Sequence, residues 1–151
     1  MIRLEPITED NWLAVARLSV TDDQQKFLDR PIGILARGYV YRHCNARIFA
    51  IADDSQIVGV AFVRDFTDEP LNYELQQFMI DQRFQNKGYG TEALRQILEV
   101  LQQEHRFSGV EVCVNREDTA AIHVYEKVGF VDSGYVDEDL PDCLNLIYHL
   151  H

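Results

Sequence analysis

Gln85-Asn86-Lys87-Gly88-Tyr89-Gly90-Thr91 stands between a β-rich run, Tyr73 to Ile80, and a helical run in which Ala93, Leu94, Ile97, Leu98 and Leu101 share one stripe ending near Glu104. Glycines at 88 and 90 let the backbone come close to something, and a helix that starts beside them offers free N–H groups and a dipole that favour an anion. A phosphate cradle is the physical expectation for this segment. Upstream, strand alternation predicts Glu74, Gln76, Phe78 and Ile80 on one face of Tyr73 to Ile80, with Tyr73, Leu75, Gln77 and Met79 on the other.

Three phosphate-binding or bland alternatives meet at the glycines. A P-loop requires Lys and then Ser or Thr after the second glycine, whereas Gly90 is followed by Thr91 and Glu92. A dinucleotide fingerprint matches at Gly88, Gly90 and Ala93, with Glu111 about twenty residues on, and it predicts nicotinamide or flavin binding. Against it, the polar residues Asp81 to Lys87 separate the strand from the first glycine, and antiparallel signals precede the motif. Glycines that merely shape a helix start remain the third alternative.

Working outward, Ile2 to Glu5 alternates as a short strand, and Thr8 is placed to cap a helix carrying Trp12, Val15, Ala16 and Leu18. A second helical segment is expected over Asp22 to Asp29, closed by Pro31. Ile34 to His43 fits helix or irregular turn, because Gly33 and Gly38 interrupt its pattern. Arg47 to Ala52 and Ile57 to Arg64 predict a hairpin across Asp53 to Gln56. Beyond the long helix, Gly109 to Val114 reads as a strand parallel to Tyr73–Ile80. Asp118 caps a helix that stops at Gly129, and Phe130 to Val136 with Leu144 to Leu150 predicts a final hairpin.

At 151 residues and 46% hydrophobic, the chain reads as one domain, 1–151, with an α/β sheet that is mixed and mostly antiparallel. A formal charge of -11 opposes contact with a nucleic-acid backbone and suits a cationic partner or plain solubility. No apolar run approaches the roughly 20 residues of a membrane span, so no membrane partner is expected. Cys44, Cys113 and Cys143 form neither CxxC pairs nor His-bearing ligand spacing, and none of the five histidines has it either, so no metal is expected. An unpaired cysteine set and an acidic start at Glu5, Glu9 and Asp10 point to a cytoplasmic protein.

The Gln85-x-x-Gly88-x-Gly90 run, preceded by Phe78-Met79-Ile80-Asp81, resembles the acetyl-coenzyme A signature of the GNAT N-acetyltransferase superfamily. Ala121, Tyr125, Glu126, Lys127, Gly129 and Phe130 resemble that family's second block, Ala-x-x-x-Tyr-Glu-Lys-x-Gly-Phe. Asn11-Trp12, Gln25 to Leu28 and Phe78 to Asp81 are similar to bacterial spermine/spermidine N-acetyltransferases. The resemblance implies acetyl-CoA as cosubstrate, bound at the splayed middle of the sheet, and a small-molecule amine as acceptor, with a polyamine foremost. It implies backbone contacts to the pyrophosphate from Gln85, Asn86, Lys87, Gly88, Tyr89, Gly90 and Thr91, and strand-like pairing of the pantetheine arm with Phe78, Met79 and Ile80. Tyr125 takes the position of the acid that protonates the leaving thiolate, and Glu74 that of a base. Asp118 stands where the family usually carries Asn, which bears on a polar contact to the cofactor.

Each residue also has a plain alternative: Lys87 as a solvated lysine, Tyr125 as a packing aromatic, Glu74 as a strand glutamate. Asp132, Asp137, Glu138, Asp139 and Asp142, with Asp65, Asp68 and Glu69 as a second wall, are candidates to receive a polycation or are solvated turns. Other amines, including an aminoglycoside, an amino acid or a protein N-terminus, stay open, as does a sensor or interaction module that binds acetyl-CoA without efficient transfer. Exposed strand edges make a homodimer a further expectation.

Overall fold

A computed structural model describes residues 1–151. Its strands are β1 (Ile2–Pro6), β2 (Arg47–Asp53), β3 (Gln56–Asp65), β4 (Tyr73–Ile80), β5 (Gly109–Asn115), β6 (Val131–Asp132) and β7 (Cys143–His149). Its helices are α1 (Trp12–Ala16), α2 (Asp22–Gln25), α3 (Pro31–Val40), α4 (Tyr89–Glu104) and α5 (Thr119–Val128). One seven-stranded sheet runs β1-β2-β3-β4-β5-β7-β6, antiparallel throughout except for β4 with β5. The mixed, mostly antiparallel α/β architecture expected from the sequence is therefore the one observed.

Each sheet face has its own core. On one, the α4 stripe of Ala93, Leu94, Ile97, Leu98 and Leu101 packs with Tyr73, Leu75, Val110 and Val112, and α5 adds Tyr125. Burial of each Leu or Ile there contributes on the order of 2 kcal/mol, so the body of α4 fixes where its N-terminus points. On the other face, Val15, Leu18, Val20 and Ile34 cover Ala50, Val60, Phe62 and Met79.

Several local expectations change. Pro31 opens α3 as its first residue instead of closing the preceding segment, which suits a residue with no N–H to lose. Helix α3 runs through both glycines: at Gly33 a Cβ would lie 2.4 Å from the Asp29 carboxylate, so the small residue admits a polar neighbour. Helix α2 covers only Asp22–Gln25, and Phe27 and Leu28 follow it as wall residues of a cleft. Asn11, not Thr8, holds the N-cap position of α1, while the Thr8 carbonyl accepts from the Asn11 and Trp12 N–H groups. The expected Phe130–Val136 strand shrinks to β6, because Gly134 turns away at φ 79° and the exposed Tyr135 and Val136 find no strand partner.

The main departure lies in β4. Phe62 pairs with Gln77 and Val63 with Leu75, so Gln76 is an extra residue, a β-bulge that reverses the alternation. Tyr73 and Leu75 before the bulge, and Phe78 and Ile80 after it, all pack toward α4 and α5. Glu74 pairs with Arg64 on the opposite face, so the expectation that Glu74 and Phe78 share a face is corrected. The bulge also coincides with the end of parallel pairing: β4 meets β5 only at Tyr73↔Val110 and Glu74↔Glu111.

Candidate active site

Where β4 and β5 part, a cleft of about 340 Å³ opens. Phe78 and Ile80 form one wall, Val112 to Asn115 of β5 the other, and α5 contributes Asp118 and Tyr125; Val20, Gln24, Phe27 and Leu28 cover one end. Beyond Glu74 no strand pairs with the β5 side of β4, which leaves its edge groups free for an extended ligand.

The cradle follows from the turn into α4. Asn86 (φ 63°) and Gly88 (φ 84°) are both left-handed, and Gly88 is the N-cap of α4. None of the backbone N–H groups from Gln85 to Thr91 donates to a backbone acceptor, and Glu92 is the first residue there to do so, bonding to the Gly88 carbonyl at 3.1 Å. Apart from its own chain neighbours, nothing lies within 4 Å of where a Gly88 Cβ would stand, and a Cβ at Gly90 would make only ordinary contacts of 3.7 and 3.9 Å. Packing against protein does not demand a small residue at either position, so the open space above these donors suits an anionic group.

Side chains brace this loop. Gln85 Nε2 donates to the Ile80 carbonyl (2.9 Å), and the Gln85 amide exchanges two hydrogen bonds with that of Gln24 in α2 (2.9 and 3.0 Å). Buried Asp81 accepts from the backbone N–H groups of Ser19 and Arg83 and from the Arg83 guanidinium, each at 2.9 Å. Burial acts to raise the Asp81 carboxyl, yet these donors hold it below the usual range. Tyr89 bonds through its hydroxyl to Asp53. Lys87 Nζ lies 5.8 Å from the centroid of the Phe84 ring.

Tyr125 is buried, with its ring edge-on to Phe130 at 5.4 Å and tilted on Phe78 at 6.4 Å. Its hydroxyl has no protein hydrogen-bond partner, and the residue belongs to the cleft wall. Burial, and then the charge of Asp118, push the phenol well above its ordinary value, so it stays a proton donor through the neutral range. Asp118 caps α5 weakly, accepting from Ala121 N–H at 3.3 Å, and burial raises its carboxyl.

Glu74 is not a cleft-lining residue. Its Oε1 accepts from Arg64 Nε (2.6 Å) and from Gln76 Nε2 (3.2 Å), while no protein donor bonds to Oε2. Its neighbour Gln76 does line the cleft, as does Cys113, and sequence reasoning misses both, since no residue pattern marks a bulge or says that a β5 cysteine faces a gap. Cys113 is exposed to solvent at the cleft wall; partial desolvation, contact with Cys143 and the nearby charges of Glu74 and Asp137 raise its thiol. None of the acids anticipated as walls lines the cleft, and Asp137 alone is close enough to Cys113 to act on its thiol. Asp65 is bound by Arg106, and Asp68, Glu69, Asp132, Glu138, Asp139 and Asp142 are clear of the cleft. No cluster of three or more His, Cys, Asp or Glu side chains with metal-holding geometry occurs, and no helix is long and apolar enough to cross a membrane.

Comparison with known proteins agrees with this geometry. The chain is similar to a spermine/spermidine N(1)-acetyltransferase of Bacillus subtilis strain 168, 21% identical across 90% of this chain and 91% of that one. In structure it is similar to a spermidine N-acetyltransferase from Vibrio cholerae solved with CoA and spermine, with TM-score 0.76, 16% identity, and coverage of 98% of this chain and 95% of the other. It is also similar to the NatC complex bound to Gag peptide and CoA, with TM-score 0.73, 14% identity and 99% coverage of both chains, so the fold alone does not select an acceptor. Residues 9–130 match the model of the acetyltransferase (GNAT) family. With a glycine cradle before α4, a parted β4/β5 pair and that match over most of its length, the chain belongs to the acetyltransferase (GNAT) family and is an acetyl-CoA-dependent N-acetyltransferase.

Proposed function

We propose that the protein moves the acetyl group of acetyl-CoA directly to a primary amine in a ternary complex, with a polyamine of the spermine/spermidine type as acceptor. The observation that carries the reading is the cleft itself: the cradle at the start of α4 and the unpaired edge of β4 open into one cleft lined by Tyr125, so a thioester held along that edge would lie beside a proton donor and within reach of an incoming amine.

In this scheme the N–H groups from Gln85 to Thr91 hold the pyrophosphate, and the unpaired edge of β4 at Phe78, Met79 and Ile80 receives the pantetheine arm as an added strand. A β4 N–H polarises the thioester carbonyl. Glu74 accepts the proton that a protonated amine must lose, working across a water through its unbonded Oε2, since its side chain does not reach the cleft wall. The amine nitrogen then bonds to the carbonyl carbon and the carbon–sulfur bond breaks. Tyr125 gives its phenolic proton to the departing sulfur and is reprotonated from the nitrogen, leaving amide, free thiol and one released proton.

Support for a polyamine comes from charge. Glu74 and Asp137 both lie close enough to Cys113 on the cleft wall to act on its thiol, and the protein carries a net charge of -11, which together suit a cationic acceptor. Two of the similar proteins are named as spermine/spermidine or spermidine N-acetyltransferases, at low identity. CoA release, followed by thiol titration with spermine, spermidine, putrescine, lysine, an aminoglycoside and a peptide, tests the assignment. Selective release with the polyamines, and a gain of one acetyl in the acceptor's mass, is expected. Release with the peptide or aminoglycoside instead overturns the acceptor, and acetyl-CoA binding with no release on any amine describes a sensor.

A further inference from the structure

A chain of polar contacts runs from α3 to β3 through the β4 bulge. Arg37 Nε donates to Asp29 Oδ2 (2.9 Å), and Arg37 Nη1 donates to Gln76 Oε1 (2.6 Å). Gln76 Nε2 donates to Glu74 Oε1 (3.2 Å), which also accepts from Arg64 Nε (2.6 Å). Asp29 N–H donates to Gln77 Oε1 (3.1 Å), so the segment bearing Phe27 and Leu28 is fastened to β4 just past the bulge. Gln76 is the one residue of this chain of contacts that lines the cleft, and Arg37 does not line it.

We propose that Arg37, on a helix that does not reach the cleft, is a positioning residue for the acceptor step: through Gln76 it fixes the Glu74 carboxylate beside the parted strands, and through Asp29 it ties the Phe27–Leu28 wall to the same point. The inference rests on Glu74 as the proton acceptor.

Amide chemistry makes the arrangement directional. A guanidinium can only donate and a carboxylate can only accept, so Arg37 and Glu74 together impose one orientation on the Gln76 amide, oxygen to Arg37 and nitrogen to Glu74. Without Arg37 the amide is free to turn over, and its oxygen would then face the Glu74 carboxylate. Glu74 would keep Arg64 but lose its second anchor, and the carboxylate would swing with the Arg64 side chain. The fold shows accommodation for the contact at its far end: Asp29 sits against Gly33, where a Cβ would come within 2.4 Å of the carboxylate. Small displacements of a group that takes a proton in a reaction cost rate without costing affinity for the other substrate.

The test uses spermidine as acceptor and compares wild type, Arg37→Met, Glu74→Gln and the double variant, with acetyl-CoA affinity by calorimetry and a thermal melt on each. Arg37→Met is expected to lower kcat about 10-fold while the acetyl-CoA Kd stays within about 2-fold. The double variant is expected to be no slower than Glu74→Gln alone, because the two residues act through one group. Unchanged kcat in Arg37→Met, or losses that multiply in the double variant, overturns the role of Arg37. Unchanged kcat in Glu74→Gln overturns the reading of Glu74 on which it rests, and is a separate result. Should Arg37→Met fail to fold, Gly33→Ala perturbs the same contacts by displacing Asp29, and Arg37→Lys can serve either Asp29 or Gln76 but not both. Each is then expected to lower kcat at unchanged acetyl-CoA Kd, and wild-type kcat in both refutes the proposal.

Discussion

Tyr125→Phe removes one oxygen and nothing else. The ring stays edge-on to Phe130 and against Phe78, and the hydroxyl has no protein partner to leave orphaned. Stability should therefore change by less than about 1 kcal/mol, since no intramolecular hydrogen bond is broken. If the phenol protonates the leaving sulfur, its loss removes a general acid, which typically supplies a factor of about 100 or more. That corresponds to roughly 2.7 kcal/mol of barrier, larger than any stability effect and clearly separable from it. Steady-state CoA release with the preferred amine gives kcat, calorimetry gives the acetyl-CoA Kd, and a melt gives stability. The expectation is kcat down about 100-fold with Kd and Tm nearly unchanged. Because burial and Asp118 raise the phenol, wild type should also show no loss of kcat from Tyr125 until the pH is well above the ordinary phenol value of 10.0. A Tyr125→Phe enzyme within about 3-fold of wild-type kcat would refute the acid role.

Asp118→Asn keeps the cap acceptor and removes a charge that burial disfavours more than the helix N-terminus favours it. A folded-state value raised above the ordinary 3.8 gives stability that is complete below that pH and declines as pH rises through the raised value. The variant should therefore melt about 1–2 °C higher than wild type at pH 7 and lose that advantage near pH 4, and a lower melting point at pH 7 would contradict the burial argument. Salt should act oppositely on the two substrates. Raising ionic strength from about 0.02 to 0.2 M screens a field of net charge -11, so KM should rise severalfold for a polyamine and fall or hold for acetyl-CoA; a parallel rise in both would refute electrostatic capture of the amine.

Much of the fold was legible because its strongest signals are local. The α4 stripe, the β2/β3 hairpin and the left-handed Gly88 each follow from residue type and spacing within a few positions. Proline both ends and begins helices, so the sequence around Pro31 does not say which side holds the helix; the structure places Pro31 as the first residue of α3. The braces of the cradle were harder to see. Gln24 with Gln85, and Ser19 with Asp81, join segments about sixty residues apart, and neither pairing leaves a local trace. The acidic loops looked like a binding wall on composition, yet only Asp137 comes near Cys113, since a run of like charges says nothing about which strand end it meets.

The bulge at Gln76 lets one strand present two chemically different faces. In an unbroken β4, Glu74 and Phe78 would share a face, and the carboxylate would stand on the side packed by α4 and α5 or the aromatic would leave it. One inserted residue separates them: Phe78 and Ile80 turn toward α5 and Tyr125, while Glu74 turns toward Arg64 and the α3 side. The same step follows directly on the last β4/β5 pair at Glu74↔Glu111, so the strands part where the side chains change sides. Gln76, the unpaired residue, is left with its amide between the cleft and the carboxylate, and Arg37 holds it there. Bulges increase local twist and bend a strand away from its partner. A single backbone irregularity therefore opens the cleft, exposes the β4 edge and places Glu74 on the side of the sheet opposite to the aromatics that face Tyr125.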